Sequence, residues 1–196
     1  VARVALDHCL TGMEFAAGIP GSVGGALVMN AGAYGSEIKN ILKSARVMTN
    51  EGEVLELSVD ELELGYRTSC IPGRGYTVLE ASFQLEPGDG AAIEARMKEL
   101  AARRREKQPL EYPSAGSTFK RPQGYFAGKL IEDAGLRGYG MGGARVSEKH
   151  CGFVINGGNA TASDVMALCG HIRKTVLEQS GVELEMEVKR WGNFDL

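Results

Sequence analysis

The chain has 196 residues, 43% of them hydrophobic and 24% charged, which is enough for a soluble fold with one large core or two small ones. A formal net charge of -3 argues against a nucleic-acid binder, which would show a basic stripe. No apolar run approaches the ~18 residues of a membrane span, and no signal peptide is visible.

The chain has 27 glycines, about twice the ordinary share, clustered at 18–35 and 135–158, where they mark special backbone sites rather than disorder. Cys9, Cys70, Cys151 and Cys169 form no C-x-x-C pair. Reduced structural thiols in the cytoplasm are expected, and no metal site.

In chain order, Val1 to Leu10 reads as a helix entered part-way, with no initiator Met, so a fragment is expected. Gly18, Pro20 and Gly21 make a tight turn, after which Ser22 caps a short helix burying Val23, Leu27 and Val28. Ala45–Thr49 and Glu53–Leu57 flank Asn50-Glu51-Gly52 as a hairpin. Ser58-Val-Asp-Glu61 is a capping box that predicts a short helix ending before Gly65, and Tyr76 to Leu85 is a further strand.

Pro87-Gly88-Asp89-Gly90 is the clearest break and the expected domain boundary. Helices follow over Ala91–Lys107 and Tyr125–Ala134, the second ended by Gly135, and Gly152–Asn156 is a short buried strand. Thr161-Ala-Ser-Asp164 opens a helix whose stripe is Val165, Leu168, Cys169, Ile172 and Val176, closed by Gly181. A last strand alternates, with Val182, Leu184, Met186 and Val188 toward a core and Glu183, Glu185, Glu187 and Lys189 away from it. Strands and helices mix without a βαβ rhythm, so the fold class is α+β.

One segment breaks the pattern: Pro113-Ser-Ala-Gly116-Ser117-Thr-Phe-Lys120-Arg121-Pro122. Pro removes ladder donors and Gly packs nothing, so a rigid loop presenting Ser117 to a ligand is expected rather than a core strand. An ordinary Gly/Pro/Ser surface turn is the alternative.

Taken together, four segments resemble one family. They are Gly18-Ile-Pro-Gly-Ser-Val-Gly-Gly25 with Met29-Asn-Ala-Gly32, then Tyr66-Arg67-Thr68-Ser69, the stretch around Ser117, and Leu184-Glu-Met-Glu-Val188. Gln108-Pro-Leu110 and Ala134-Gly-Leu-Arg-Gly138 add to the match. The chain resembles the UDP-N-acetylenolpyruvoylglucosamine reductases, also called UDP-N-acetylmuramate dehydrogenases, flavoenzymes of bacterial peptidoglycan synthesis. It is similar to the shorter type, with no tyrosine-bearing insertion between Gln123 and Ala127.

The resemblance implies the C-terminal part of a vanillyl-alcohol-oxidase-like FAD-binding domain at 1–88 and an α+β substrate domain at 89–196. In the family an upstream stretch completes the flavin site, and the present residues are expected to begin after it. The implied cofactors are FAD and NADPH, and the implied substrate is UDP-N-acetylglucosamine enolpyruvate, with no obligate protein partner and a cytoplasmic location. Two other readings stay open: a UDP-sugar-binding module without flavin, and a different flavin oxidase.

The implied site follows the motifs. Ser117 is the acid that protonates the substrate, Arg67 pairs with its carboxylate, and Glu187 lies across from Arg67. Lys120, Arg121 or a backbone N–H could support Ser117. Gly18, Pro20, Gly21, Ser22, Gly24 and Asn30 are the candidate flavin contacts, though tight packing of a glycine-rich turn explains them too. Tyr125, Arg137 and His150 are candidates for the nucleotide sugar, with Lys107 and Lys129 behind them; Arg137 could equally cap the preceding helix.

Overall fold

The computed structural model describes residues 1–192, and the chain divides into two compact units, Val1–Arg103 and Arg104–Leu196. The division falls inside the helix that follows the Pro87–Gly90 break, where the sequence reading puts the boundary at the break itself.

The first unit runs α1 (Ala2–Asp7), β1 (Leu10–Thr11), α2 (Val23–Val28), β2 (Gly32–Ala33), β3 (Ser36–Glu37), β4 (Leu42–Met48), β5 (Val54–Ser58), β6 (Thr77–Phe83), β7 (Glu86–Pro87) and most of α3 (Gly90–Lys107). α1 is shorter than the expected Val1–Leu10 helix because Cys9 turns left-handed at φ 53° and Leu10 opens β1. β5, β4 and β6 form an antiparallel sheet in that order. β4 sends Leu42, Ala45 and Val47 into the core; the two-residue period of a half-buried strand holds from 45 to 47 and slips by one between 42 and 45, where the register with β6 shifts. The β4–β5 turn closes through Thr49 N–H to Glu53 O at 2.9 Å, with Gly52 at φ 87°.

Residues 58–64 correct the expected short helix. The reciprocal bonds of the capping box form, Ser58 N–H to Glu61 Oε2 at 2.9 Å and Glu61 N–H to Ser58 Oγ at 3.4 Å. The chain nevertheless makes only turns, because Glu63 adopts φ 51° and a single nucleated turn has nothing to propagate it.

The second unit carries the end of α3, β8 (Ser114–Ser117), α4 (Ala127–Asp133), β9 (Gly140–Met141), β10 (Ala144–Val146), β11 (Phe153–Asn156) and α5 (Ala162–Ser180). Its sheet is antiparallel in the order β8-β11-β10-β9. The α5 stripe Leu168, Cys169, Ile172 and Val176 packs with Ile131 of α4, Val146 of β10 and Leu184. α5 starts on a complete capping box between Thr161 and Asp164 and ends on Gly181 at φ 71°. Hydrogen bonds from the Thr161 and Gly143 N–H groups hold the Asp164 carboxyl below the usual carboxylate range. They also tie the β9–β10 turn to the start of α5.

Two expectations fail in this unit. Ser114–Ser117 is a strand, not a loop: it pairs with β11 with an extra residue between the Ser114–Ile155 and Ser117–Phe153 pairs. Gly116 at φ 84° accommodates that bulge, and β8 lies at the sheet edge, two settings in which such a sequence is tolerated in a sheet. Residues 182–188, by contrast, are not a strand. Their alternation survives, with Leu184 fully buried and Glu183 and Glu185 exposed, but the pairing is one bridge, Phe119 to Met186.

Candidate active site

The second unit brings Ser117 and Glu187 to neighbouring backbone positions, and Thr118 is the joint between them. Thr118 is 2% exposed. Its N–H donates to Gly152 O at 2.9 Å, and its carbonyl accepts from Glu187 N–H at 2.9 Å. Its hydroxyl accepts from Val154 N–H at 2.9 Å, satisfying a donor beside the β8–β11 bulge. The sequence reading missed this residue. Its only signal is a β-branched polar residue between Ser117 and the apolar Phe119, which burial alone turns into a hub.

Ser117 itself is exposed at the end of β8, and no described residue hydrogen-bonds its hydroxyl. The two nearby cations are engaged elsewhere. Lys120 Nζ pairs with Glu185 Oε1 at 2.5 Å. The Arg121 guanidinium donates to Tyr125 O at 3.2 Å and lies 3.9 Å from the Phe126 ring centroid. Glu187 is half-buried, on the side of its segment opposite Leu184 in alternation.

His150 lies on the turn that reaches Thr118 through Gly152. Its Nδ1 accepts from Gly152 N–H at 3.0 Å, and its ring meets Phe153 edge-on at 5.1 Å between centroids. Side chains at Gly128 or Gly152 would collide with that ring, at 3.1 and 2.9 Å from it. Desolvation holds the imidazole below its ordinary pKa, so the neutral form with Nδ1 as acceptor is favoured. Arg137 bonds Glu132 at 2.6 Å and the Glu148 carbonyl, pinning the end of α4 to the turn before His150. That hydrogen bond from Arg137 pulls the Glu132 carboxyl below its usual range. Tyr125 is 48% exposed beside the left-handed Gly124.

In the first unit, Arg67 occupies the tip of a two-residue turn closed by the reciprocal Gly65–Thr68 backbone pair. Its φ of 54° is a strained position for a long side chain, the kind of outlier that gathers at functional sites. The guanidinium lies 5.1 Å from the Tyr66 ring centroid and donates to Gly32 O at 3.2 Å.

The glycine-rich segment splits in two. Gly18, Pro20, Gly21 and Ser22 form an exposed turn with φ 78° at Gly18 and 136° at Gly21, and a Cβ added at Gly21 would meet nothing within 4 Å. The Ser22 hydroxyl caps α2, accepting from Gly25 N–H at 3.1 Å. Gly24 instead packs toward β6, where its Cβ would stand 3.5 Å from Val78. Asn30 is fully buried, with both polar ends on backbone partners. Among the described residues no cluster of His, Cys, Asp and Glu could hold a metal ion, and no helix is long and apolar enough to cross a membrane.

Comparison with known proteins agrees with this layout. Residues 1–58 match the FAD binding domain family, and residues 108–191 match the C-terminal domain of UDP-N-acetylenolpyruvoylglucosamine reductase. The reductase of Agathobacter rectalis is 61% identical over 194 residues, covering 99% of this chain and 62% of the relative. That of Geobacillus thermodenitrificans is 60% identical over 192 residues, covering 98% of this chain and 63% of the relative. The chain therefore spans about three fifths of the length of these curated relatives. The crystal structure of the reductase from Thermus caldophilus superimposes with a TM-score of 0.85 at 34% identity, covering 97% of this chain and 68% of that one. With the fold, the motif order and sequence identity in agreement over nearly its whole length, the chain belongs to the UDP-N-acetylenolpyruvoylglucosamine reductase family.

Proposed function

We propose that the protein reduces UDP-N-acetylglucosamine enolpyruvate to UDP-N-acetylmuramate with NADPH and FAD, in the cytoplasm, as a step of peptidoglycan precursor synthesis. Family membership supports the reaction class. The observation that carries it to residues is the Glu187 N–H to Thr118 O bond, which sets a hydroxyl-bearing and a carboxylate-bearing position side by side.

The overall change adds a hydride and a proton across the enolpyruvyl double bond. When bound, FAD would supply the hydride, taken from NADPH, that adds to the methylene carbon. The proton goes to the neighbouring carbon, the one bearing the carboxylate, and Ser117 Oγ is the donor. A serine hydroxyl is a weak acid, so it works only where developing negative charge on its oxygen is met by nearby donors. Lys120, which pairs with Glu185, Arg121, which donates to Tyr125 O, or a backbone N–H can supply them.

Arg67 presents a planar, permanently charged fork suited to the substrate carboxylate, whose charge must be held while the adjacent carbon accepts a proton. Glu187, across from Arg67, polarises that carboxylate or holds the enol form that develops beside it. For the cofactor, the open turn formed by Gly18, Pro20, Gly21 and Ser22 fits close approach of a phosphate to backbone. Gly21 leaves room, Pro20 fixes the turn, and the Ser22 O–H can still donate while its oxygen caps α2. Tyr125, Arg137 and His150 are assigned to the nucleotide sugar; His150 brings a neutral ring with Nε2–H as donor, since Nδ1 accepts from Gly152. In this reading 1–88 serves the flavin and 89–196 the substrate.

Ser117→Ala in the intact flavoprotein tests the assignment. Reduction of the flavin by NADPH is expected within about twofold of the parent, while reoxidation by the enolpyruvyl substrate slows by about 100-fold or more. Parental reoxidation would remove Ser117 from the chemistry.

A further inference from the structure

Asn30 is polar yet fully buried, and its backbone is left-handed at φ 41°. The end of α2 accounts for the backbone. Asn30 N–H donates to Leu27 O at 3.1 Å and Ala31 N–H to Ala26 O at 2.8 Å, the paired bonds of a Schellman cap. Such a cap needs a left-handed residue, usually Gly, and asks nothing of its side chain.

The side chain is nevertheless fully used. Nδ2–H donates to Gly65 O at 3.1 Å, and Oδ1 accepts from Lys39 N–H at 2.9 Å. Two further bonds join the same two stretches: Ser69 Oγ–H to Val28 O at 2.9 Å and the Arg67 guanidinium to Gly32 O at 3.2 Å. Residues 28, 30 and 32 thus hold 69, 65 and 67. What they hold is the turn with Arg67 at its strained tip, a conformation that persists only where its surroundings over-determine it.

We propose that Asn30 is a positioning residue, acting with Ser69 to clamp the 65–68 turn so that Arg67 meets the substrate carboxylate in one fixed pose. The inference rests on the reading of Arg67 given above. It gives Asn30 a task on the carboxylate side of the reaction in place of the expected flavin contact. A guanidinium displaced by about 1 Å loses about 100-fold in rate, so a clamp of this kind shows in turnover as well as in stability.

The test uses Asn30→Gly in the intact flavoprotein, because Gly keeps the left-handed cap and removes only the side chain. Ser69→Ala is the milder second variant, which removes the tie to Val28 O, and with it the acceptor for Ile71 N–H, and leaves the Asn30 cap in place. Amide exchange at Thr68 is expected to accelerate by about tenfold, and reoxidation by the enolpyruvyl substrate to slow by about tenfold or more. FAD content and the NADPH half-reaction should stay at parental values. Unchanged exchange at Thr68 in both variants overturns the clamp. Loss of FAD, with both half-reactions falling together, overturns it in favour of a flavin-side role. Faster exchange with parental reoxidation overturns the link to catalysis, and Arg67→Ala then locates the failure. If that variant also reoxidises at the parental rate, the reading of Arg67 has failed; if it is slow, the positioning role has.

Discussion

The residues proposed for the chemistry, and those that hold them, differ in how far the chain alone reveals them. Ser117 and Glu187 are singled out by the family motifs, since alternation alone does not separate Glu187 from Glu183 and Glu185; in the folded chain Ser117 is exposed and Glu187 half-buried. Thr118 is not legible, nor is the clamping role of Asn30, since what distinguishes them is burial with the side chain paired to backbone, a tertiary property. His150 offers a check at this scale. Desolvation lowers its pKa below the ordinary value of 6.5, so just below that pH the unfolded chain binds a proton that the folded chain refuses. Stability therefore falls as pH drops through that window, and is regained as pH rises. His150→Asn keeps an acceptor for Gly152 N–H but does not titrate. Between about pH 7.5 and 5.5 the thermal midpoint of the parent should fall more than that of the variant, and parallel curves would contradict the assignment.

At the scale of elements, periodicity and caps read well. The Thr161–Asp164 box, the α5 stripe, the Ser22 cap and the β4–β5 hairpin all form where local signals place them. The failures share a cause: each element depends on a partner distant in sequence. Ser114–Ser117 became a strand because β11 supplies a ladder and Gly116 absorbs a bulge, neither of which shows locally. Residues 182–188 look like a strand, but only Met186 finds a bridging partner, and Leu184 anchors the segment by burial instead. Leu184→Ala should accordingly destabilise the protein by about 2–5 kcal/mol, measured by denaturant unfolding. It should also slow substrate-driven reoxidation more than NADPH-driven reduction, because it loosens the segment that carries Glu187. A loss under about 1 kcal/mol would mean that the segment is held by something other than that side chain.

The whole chain is two units, each with its own apolar core, and that much follows from length and from the Pro/Gly break. Where the compact units divide does not follow, because a helix runs through the division and its periodicity is continuous. The thiols report on both cores together. Cys70, Cys151 and Cys169 are buried while Cys9 is exposed. Desolvation raises the pKa of all three buried thiols, that of Cys169 to about 11. Under native conditions a thiol reagent at neutral pH should label Cys9 quickly and the others only on unfolding, as peptide mapping would show. Fast labelling at Cys169 would contradict the packing of α5.

The proposal that Arg67, Ser117 and Glu187 all act on the enolpyruvyl group is best tested by a crystal structure of the intact flavoprotein with UDP-N-acetylglucosamine enolpyruvate bound. The expected result has the substrate carboxylate on the Arg67 guanidinium, with Ser117 Oγ and the Glu187 carboxylate within about 3.5 Å of the enolpyruvyl atoms. An ordered enolpyruvyl group resting against other side chains would contradict it.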